Sequence, residues 1–197
     1  MIEELFKLLF LFILSVFYFY SVSGFGKILK AKYSNYFDLQ FEGTIILLIL
    51  GYAIYITIGI NVYLNILILS LGIIFYFLIG KNFIKVDFKY LLLFFLLIFS
   101  VLVISKTHED FNGYHYFSIH EVFNNRLRIG VSYLNERFFH SSHLVLNQVL
   151  TALPYFNLKL VHLPVFLIYL SSIGYFSFLV FSKNLKKDEL FFSVFCL

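Results

Sequence analysis

The chain has 197 residues, of which 61% are hydrophobic and 13% charged, and its mean hydropathy is +0.90. Soluble domains average about 25% charged residues, so the composition excludes that class and predicts an all-α membrane protein, because helices satisfy their own backbone in lipid. The formal net charge of +4 comes from lysines beside apolar runs, which indicates membrane flanks and no nucleic-acid partner.

Five apolar runs are long enough to cross a bilayer as helices, since a span needs about 20 residues. They cover about residues 5–22, 43–60, 63–80, 88–105 and 160–181. A sixth run begins at Leu190 and stops with the chain. We therefore predict a polytopic transmembrane protein with about five complete spans and a truncated sixth, cut from a longer sequence. The acidic residues before the first run favour an uncleaved anchor over a signal peptide.

Lysines cluster after the first, third and fifth runs: Lys27, Lys30, Lys32; Lys81, Lys85, Lys89; Lys183, Lys186, Lys187. Because cytoplasmic loops collect Lys and Arg, these loops belong inside, and the N-terminus and loop 106–159 lie outside. A division falls near residue 86. Residues 1–86 form an N-terminal three-span membrane region, and residues 87–197 contain a span, the outer loop, another span and a partial span.

Residues 106–143 break from the composition of the chain, with all three arginines, five of the six histidines and four of the eleven acidic residues. After the turn signal at Asn112 and Gly113, the pattern becomes helical. One apolar face is predicted to hold His115, Ile119, Val122 and Phe123, with Gly130 as the end of the helix. A second helical stretch runs from His143 to Leu153. Such helices beside a span would lie in the membrane interface.

Glu109 and Asp110 follow the fourth run directly. An ionised Asp110 at the water boundary could act as a general base, and with Glu109 it could hold a divalent cation. The simpler alternative is that the two carboxylates only solvate the end of a helix.

The arginines Arg126, Arg128 and Arg137 lie on the predicted outer side, where the charge rule does not require them. Guanidinium groups bind phosphate oxygens with two parallel hydrogen bonds, so a lipid phosphate or pyrophosphate is a candidate ligand. Contact with membrane lipid headgroups without chemistry is the alternative.

The histidines are weaker candidates, because no metalloprotease-type motif frames them. His140 and His143 are spaced i, i+3, which helical metal sites can use, but structural or hydrogen-bonding roles are favoured. His108, Tyr114, His115, His140 and His143 are therefore named only as supporting residues.

These residues together form a spaced pattern: Glu109, Asp110, Tyr114, His115, Gly130, Leu134, Arg137, Ser141 and Ser142. Over residues 87–181 the pattern resembles the start of the GT-C superfamily of polytopic glycosyltransferases, and it is similar to uncharacterised bacterial envelope membrane proteins of that type. Two departures are that three spans precede the matching helix, and that the later spans of those enzymes are missing.

The resemblance implies a glycosyltransferase that takes a sugar from a polyprenyl-phosphate donor on the outer face of a bacterial cytoplasmic membrane. Asp110 would be the base or metal ligand, with Glu109 assisting, and Arg126, Arg128 or Arg137 would bind the donor phosphate.

A non-enzymatic translocator or polymer-handling component for envelope polysaccharide is the alternative. Such a protein should carry polar residues within its spans, and the second to fifth runs hold no charge in their interiors. A membrane scaffold without a ligand is the third reading, and it predicts that substitutions of the arginines and acids are silent.

Overall fold

The computed structural model describes residues 2–29, 36–79, 96, 119, 121–123, 125–126, 149–150 and 158–181. Within these residues the chain forms four helices: α1 (Ile2–Leu29), α2 (Tyr36–Thr57), α3 (Val62–Leu78) and α4 (Leu158–Phe181). The described part has no strand, only one isolated bridge between Ile60 and Phe123. The all-α prediction is confirmed for this part of the chain.

Two segments are long and apolar enough to cross a membrane, Leu9–Leu29 in α1 and Leu39–Thr57 in α2. Only 33% of the second segment is buried inside the protein, and side chains such as Ile45 and Ile49 are exposed. A soluble protein rarely exposes a large apolar surface, so the exposed side chains of α2 indicate contact with lipid. Of the predicted fourth span, only Leu96 lies among the described residues.

The first helix is longer than the predicted run, which ended at residue 22. It continues to Leu29, so Lys27 lies in its last turn and not in the following loop. Lys27 is 5% exposed; its Nζ donates a hydrogen bond to the Tyr76 carbonyl at 2.6 Å and lies 3.8 Å from the centre of the Tyr76 ring. Lys27 is therefore buried inside the bundle against Tyr76 of α3, although the lysine pattern predicts it in a loop.

α1 and α3 run parallel and approach closely. A Cβ on Gly24 would overlap the backbone of Gly72, and a Cβ on Gly72 would overlap Ser21. Further along the same pair, the Phe25 and Phe75 rings meet edge to face at 5.7 Å. Small residues at a helix contact allow backbones to approach and increase van der Waals packing.

α2 runs antiparallel to α1 in the same three-helix unit. Gly43 lies against the Val22 carbonyl, and Gln40 of α2 donates to the Phe19 carbonyl of α1 at 3.0 Å. The core of this unit is formed by buried side chains that include Phe19, Leu39 and Leu47. These contacts close one face of each helix and leave the opposite faces apolar and exposed.

α4 packs mainly against α2. Its Leu163 and Leu167 are buried in the common core, and the Tyr175 ring meets Phe41 of α2 edge to face. α4 begins at Leu158, so Pro164 lies inside the helix. Contacts therefore join the region before residue 86 to the region after it.

Candidate functional site

The turn between α2 and α3 is short and strongly hydrogen-bonded. At the end of α2, the N–H groups of Ile58 and Gly59 both donate to the Ile54 carbonyl, at 2.9 and 2.8 Å. Gly59 then has a φ of 91°, a conformation that L side chains rarely adopt. Asn61 begins α3 as its N-cap and accepts a hydrogen bond from the Leu64 N–H at 3.0 Å. Both helix ends are thus capped within four residues.

A segment of the predicted outer loop packs onto this turn. Phe123 donates its N–H to the Ile119 carbonyl at 3.0 Å, which is a helical hydrogen bond, and it pairs with Ile60 in a parallel bridge. Ile60 and Ile119 are fully buried, and Phe123 is 7% exposed. Of the predicted apolar face, Ile119 and Phe123 are therefore buried together with Ile60 of the turn, and Val122 is partly buried.

Arg126 makes a hydrogen bond to the same turn on its solvent-exposed side. Its Nε–H donates to the Ile58 carbonyl at 3.1 Å, and the side chain is exposed. Within the part of the chain that the structure describes, its terminal Nη groups have no hydrogen-bond acceptor. A guanidinium held in this way presents its two Nη amino groups to solvent, and such a pair suits the oxygens of a phosphate.

The helix predicted to continue to Gly130 is shorter than expected, because Asn125 and Arg126 are not helical. The Asn125 side chain donates to the Glu121 carbonyl at 2.8 Å and so occupies an acceptor at the end of the helical turn. The chain then leaves the helix in time for Arg126 to reach Ile58. The end of the helix thus decides where the guanidinium lies.

The second predicted loop helix contacts the same end of the bundle. Val149 and Leu150 are helical and buried, and the Val149 carbonyl accepts a hydrogen bond from Asn65 Nδ2 at 2.9 Å. Asn65 belongs to the first turn of α3, close to the turn that holds Arg126. Both described parts of the loop therefore lie at one end of the bundle, opposite the Lys27–Tyr76 contact at the end of α3.

A second polar group lies within the bundle, and the sequence did not indicate it. Gln40 Nε2 donates to the Phe19 carbonyl and to Ser23 Oγ, and the Thr44 hydroxyl donates to the Gln40 carbonyl at 2.7 Å. Gln40 and Ser23 are at most 2% exposed. Gln40 lies within the Leu39–Thr57 segment, but the first predicted run ends at residue 22 and the second begins at residue 43, so Ser23 and Gln40 lie outside both predicted spans.

Of the sequence-predicted site residues, only Arg126 lies within the described residues. Glu109, Asp110, His108, Tyr114, His115, Arg128, Arg137, His140 and His143 lie outside them. Among the described residues, no group of three or more His, Cys, Asp or Glu side chains could hold a metal ion. The one predicted site residue that the structure describes is therefore Arg126, whose exposed guanidinium contacts the α2–α3 turn.

Comparison of the chain with protein-family models, with curated proteins and with solved structures gave no match. The assignment of a function rests on the chemistry of the residues described above.

Proposed function

We propose that the chain functions as a membrane glycosyltransferase that takes a sugar from a polyprenyl-phosphate donor. The observation that supports this proposal is Arg126, whose guanidinium is exposed and held by the Ile58 carbonyl. The donor carries its negative charge at the membrane surface, next to a hydrocarbon chain. A fixed guanidinium at the end of a bundle of apolar helices has the charge and the position that such a phosphate requires.

The proposal includes the full membrane arrangement of about five spans, with the N-terminus and loop 106–159 on the outer face of a bacterial cytoplasmic membrane. The contacts of Gly59 and Ile60 with residues 119–126 support it. The link between the second and third spans and the long loop should lie on the same side in this arrangement, and their contact agrees with that expectation.

In this proposal the loop supplies both the phosphate contacts and the chemistry. Arg126, with Arg128 and Arg137, would neutralise the donor phosphate, which becomes the leaving group. Asp110 would accept the proton of the acceptor hydroxyl as a general base, or would bind a divalent cation together with Glu109.

The first experiment measures the affinity of the full-length protein, in phosphatidylcholine nanodiscs, for a polyprenyl monophosphate. We expect Arg126→Ala to weaken binding about tenfold or more, because hydrogen bonds to charged groups contribute about 1.5–3 kcal/mol and each 1.4 kcal/mol is a factor of ten. Arg126→Lys should fall between, since it keeps the charge and loses the paired donors. Thr57→Val is the matched control at the same end of the bundle. Equal affinities of Arg126→Ala and the unchanged protein would remove Arg126 from the site.

A second experiment separates binding from transfer. Asp110→Asn in the full-length protein should abolish sugar transfer while membrane insertion and phosphate affinity stay unchanged, because the carboxylate acts on the acceptor. Insertion is followed by protease protection of the loops. Normal transfer by Asp110→Asn would exclude Asp110 as the base.

The translocator alternative is favoured by a different observation, the polar group inside the bundle. Gln40 Oε1 and Ser21 Oγ are buried and have no hydrogen-bond partner among the described residues, and polar groups at membrane depth often mark substrate pathways. In proteoliposomes, a translocator would lose movement of a fluorescent lipid phosphate on Gln40→Leu while its phosphate affinity stayed constant. Unchanged movement in that variant would exclude a pathway through Gln40.

A further inference from the structure

We propose that the α2–α3 turn is a positioning device for the Arg126 guanidinium, with Gly59 as its positioning residue; this inference rests on the proposed phosphate site. Three neighbouring residues of the turn each make a different contact with the loop. The Ile58 carbonyl accepts from Arg126 Nε, Gly59 faces Asn125 and Arg126, and Ile60 pairs with Phe123. The N-terminal region is therefore part of the site as well as its anchor.

The contact with Ile58 decides which face of the guanidinium is available. Arg126 Nε is occupied by the Ile58 carbonyl, so a side-on pair of Nε and one Nη cannot form with a ligand. The remaining pair is Nη1 and Nη2, which bind two phosphate oxygens end-on. A lysine has one nitrogen and cannot make both the carbonyl contact and this paired contact with a fixed geometry. The turn thus selects one binding mode from those open to a free arginine.

Gly59 permits this arrangement through its backbone and its lack of a side chain. Its φ is +91°, and a Cβ there would lie 2.9 Å from the Asn125 carbonyl oxygen and 3.2 Å from Arg126 Cγ. An alanine would be strained at that φ, and its Cβ would press against Asn125 and Arg126. The Asn125 carbonyl is backbone, so the loop itself would have to shift.

The remaining contact keeps the loop in register with the turn. Ile60, Ile119 and Phe123 are buried together, and the bridge fixes Phe123 opposite Ile60. Arg126 follows Phe123 by three residues, and Ile58 precedes Ile60 by two. Because the bridge holds Phe123 beside Ile60 and the helix has ended at Asn125, the Arg126 side chain lies within hydrogen-bonding distance of the Ile58 carbonyl. The apolar pair therefore brings the loop to the turn, and Gly59 allows the final approach.

The test compares Gly59→Ala with Ile56→Ala in the full chain. Ile56 is the control because it lies in the last turn of α2, before the turn residues, and its side chain is 56% exposed. For the protein in nanodiscs, we expect Gly59→Ala to weaken the binding of a polyprenyl monophosphate about five- to tenfold and Ile56→Ala to leave it unchanged. The free energy of unfolding of both variants is measured alongside.

A crosslink tests the positioning role independently of the ligand. In a Cys196→Ser background, the pair Ile60→Cys and Phe123→Cys should form a disulfide on mild oxidation, since bridged residues are close enough for one. Gly59→Ala should slow that crosslink. Once formed, the crosslink should restore much of the phosphate affinity of Gly59→Ala, because it returns the loop to the turn. If Gly59→Ala only lowered the stability of the protein, the crosslink would not restore the phosphate affinity.

The outcomes separate the two proposals. If Arg126→Ala weakens binding and Gly59→Ala does not, the phosphate site stands and the positioning role is overturned. If neither substitution changes the affinity, both are overturned. Weakening by Arg126→Ala and Gly59→Ala, with rescue by the crosslink, is the result expected for a positioning turn.

Discussion

The interior of the α1–α2–α3 unit and its α2–α3 turn both use polar groups, but in opposite ways. In the interior, the buried Gln40 side chain donates to Ser23 and to the Phe19 carbonyl of α1, and the Ser23 hydroxyl donates to the same carbonyl. At the turn, Arg126 uses one nitrogen on the Ile58 carbonyl and keeps its charged end exposed. Hydrogen bonds between helices within a bundle stabilise it, whereas an exposed and fixed charge is available to a ligand. The difference favours the turn as the site.

The largest effect is expected where the interior depends on contact between backbones. Gly24→Leu places a side chain where the Gly72 backbone lies, so α1 and α3 must separate. We expect a loss of about 3 kcal/mol in the free energy of unfolding, measured by steric trapping in bicelles. Ala53→Leu, on an exposed position of α2, is the control and should change it by no more than about 0.5 kcal/mol. Similar values for the two variants would contradict the close α1–α3 contact.

The contact between α3 and the second loop helix should give the next largest effect. Asn65→Leu removes the hydrogen bond to the Val149 carbonyl, and we expect a loss of about 1–2 kcal/mol. The loop should also open locally, so maleimide should label Leu150→Cys faster in a Cys196→Ser background. Ser172→Ala is the control, because that hydroxyl bonds within its own helix. Unchanged labelling after Asn65→Leu would show that the docking of the loop does not depend on this bond.

A smaller effect is expected from the polar pair in the interior. A double-mutant cycle of Gln40→Leu and Ser23→Ala should give a coupling of about 0.6 kcal/mol, the average for hydrogen bonds between membrane helices. The free energy of unfolding of the two single variants and of the double variant provides it. A coupling of zero would mean that the two side chains do not share a bond, and would weaken the contrast between interior and turn.

The smallest effect is expected for an exposed hydroxyl beside the turn. Thr57 donates to the Ala53 carbonyl of its own helix at 2.7 Å and is exposed, so Thr57→Val should change the free energy of unfolding by no more than about 0.5 kcal/mol. Thr44 makes the same kind of bond to Gln40 but is buried, so Thr44→Val should be the more destabilising of the two. The reverse order would contradict the assignment of α2's buried face.

Helix content could be predicted from the sequence because it depends on local composition. Apolar runs of about 20 residues must be helical in lipid, and α1, α2, α3 and α4 fall on four of the five predicted runs. The boundaries were less predictable. Lys27 follows the first apolar run, which ends at residue 22, yet it is inside α1, and its ammonium group contacts the Tyr76 carbonyl and ring. That partner is 49 residues away, and no local pattern contains it.

The candidate site could be predicted only in part. The concentration of arginines in one loop identified Arg126, and the helical pattern identified the apolar face of Ile119 and Phe123. The end of the helix before Asn125 and the close approach of Gly59 to Asn125 and Arg126 could not be predicted. A glycine between two apolar runs indicates a turn, but its neighbours across the fold are set by helix packing.

The sequence by itself determined the helical class, the apolar character of the helices and the residue type most suited to a phosphate. These properties follow from composition and from the period of a helix, which are local. The tertiary structure alone decided that Arg126 meets Ile58, that Gly59 admits the loop, and that Gln40 is buried. Each of these depends on how closely whole helices approach, and that distance is set by glycines and side chains on several segments at once.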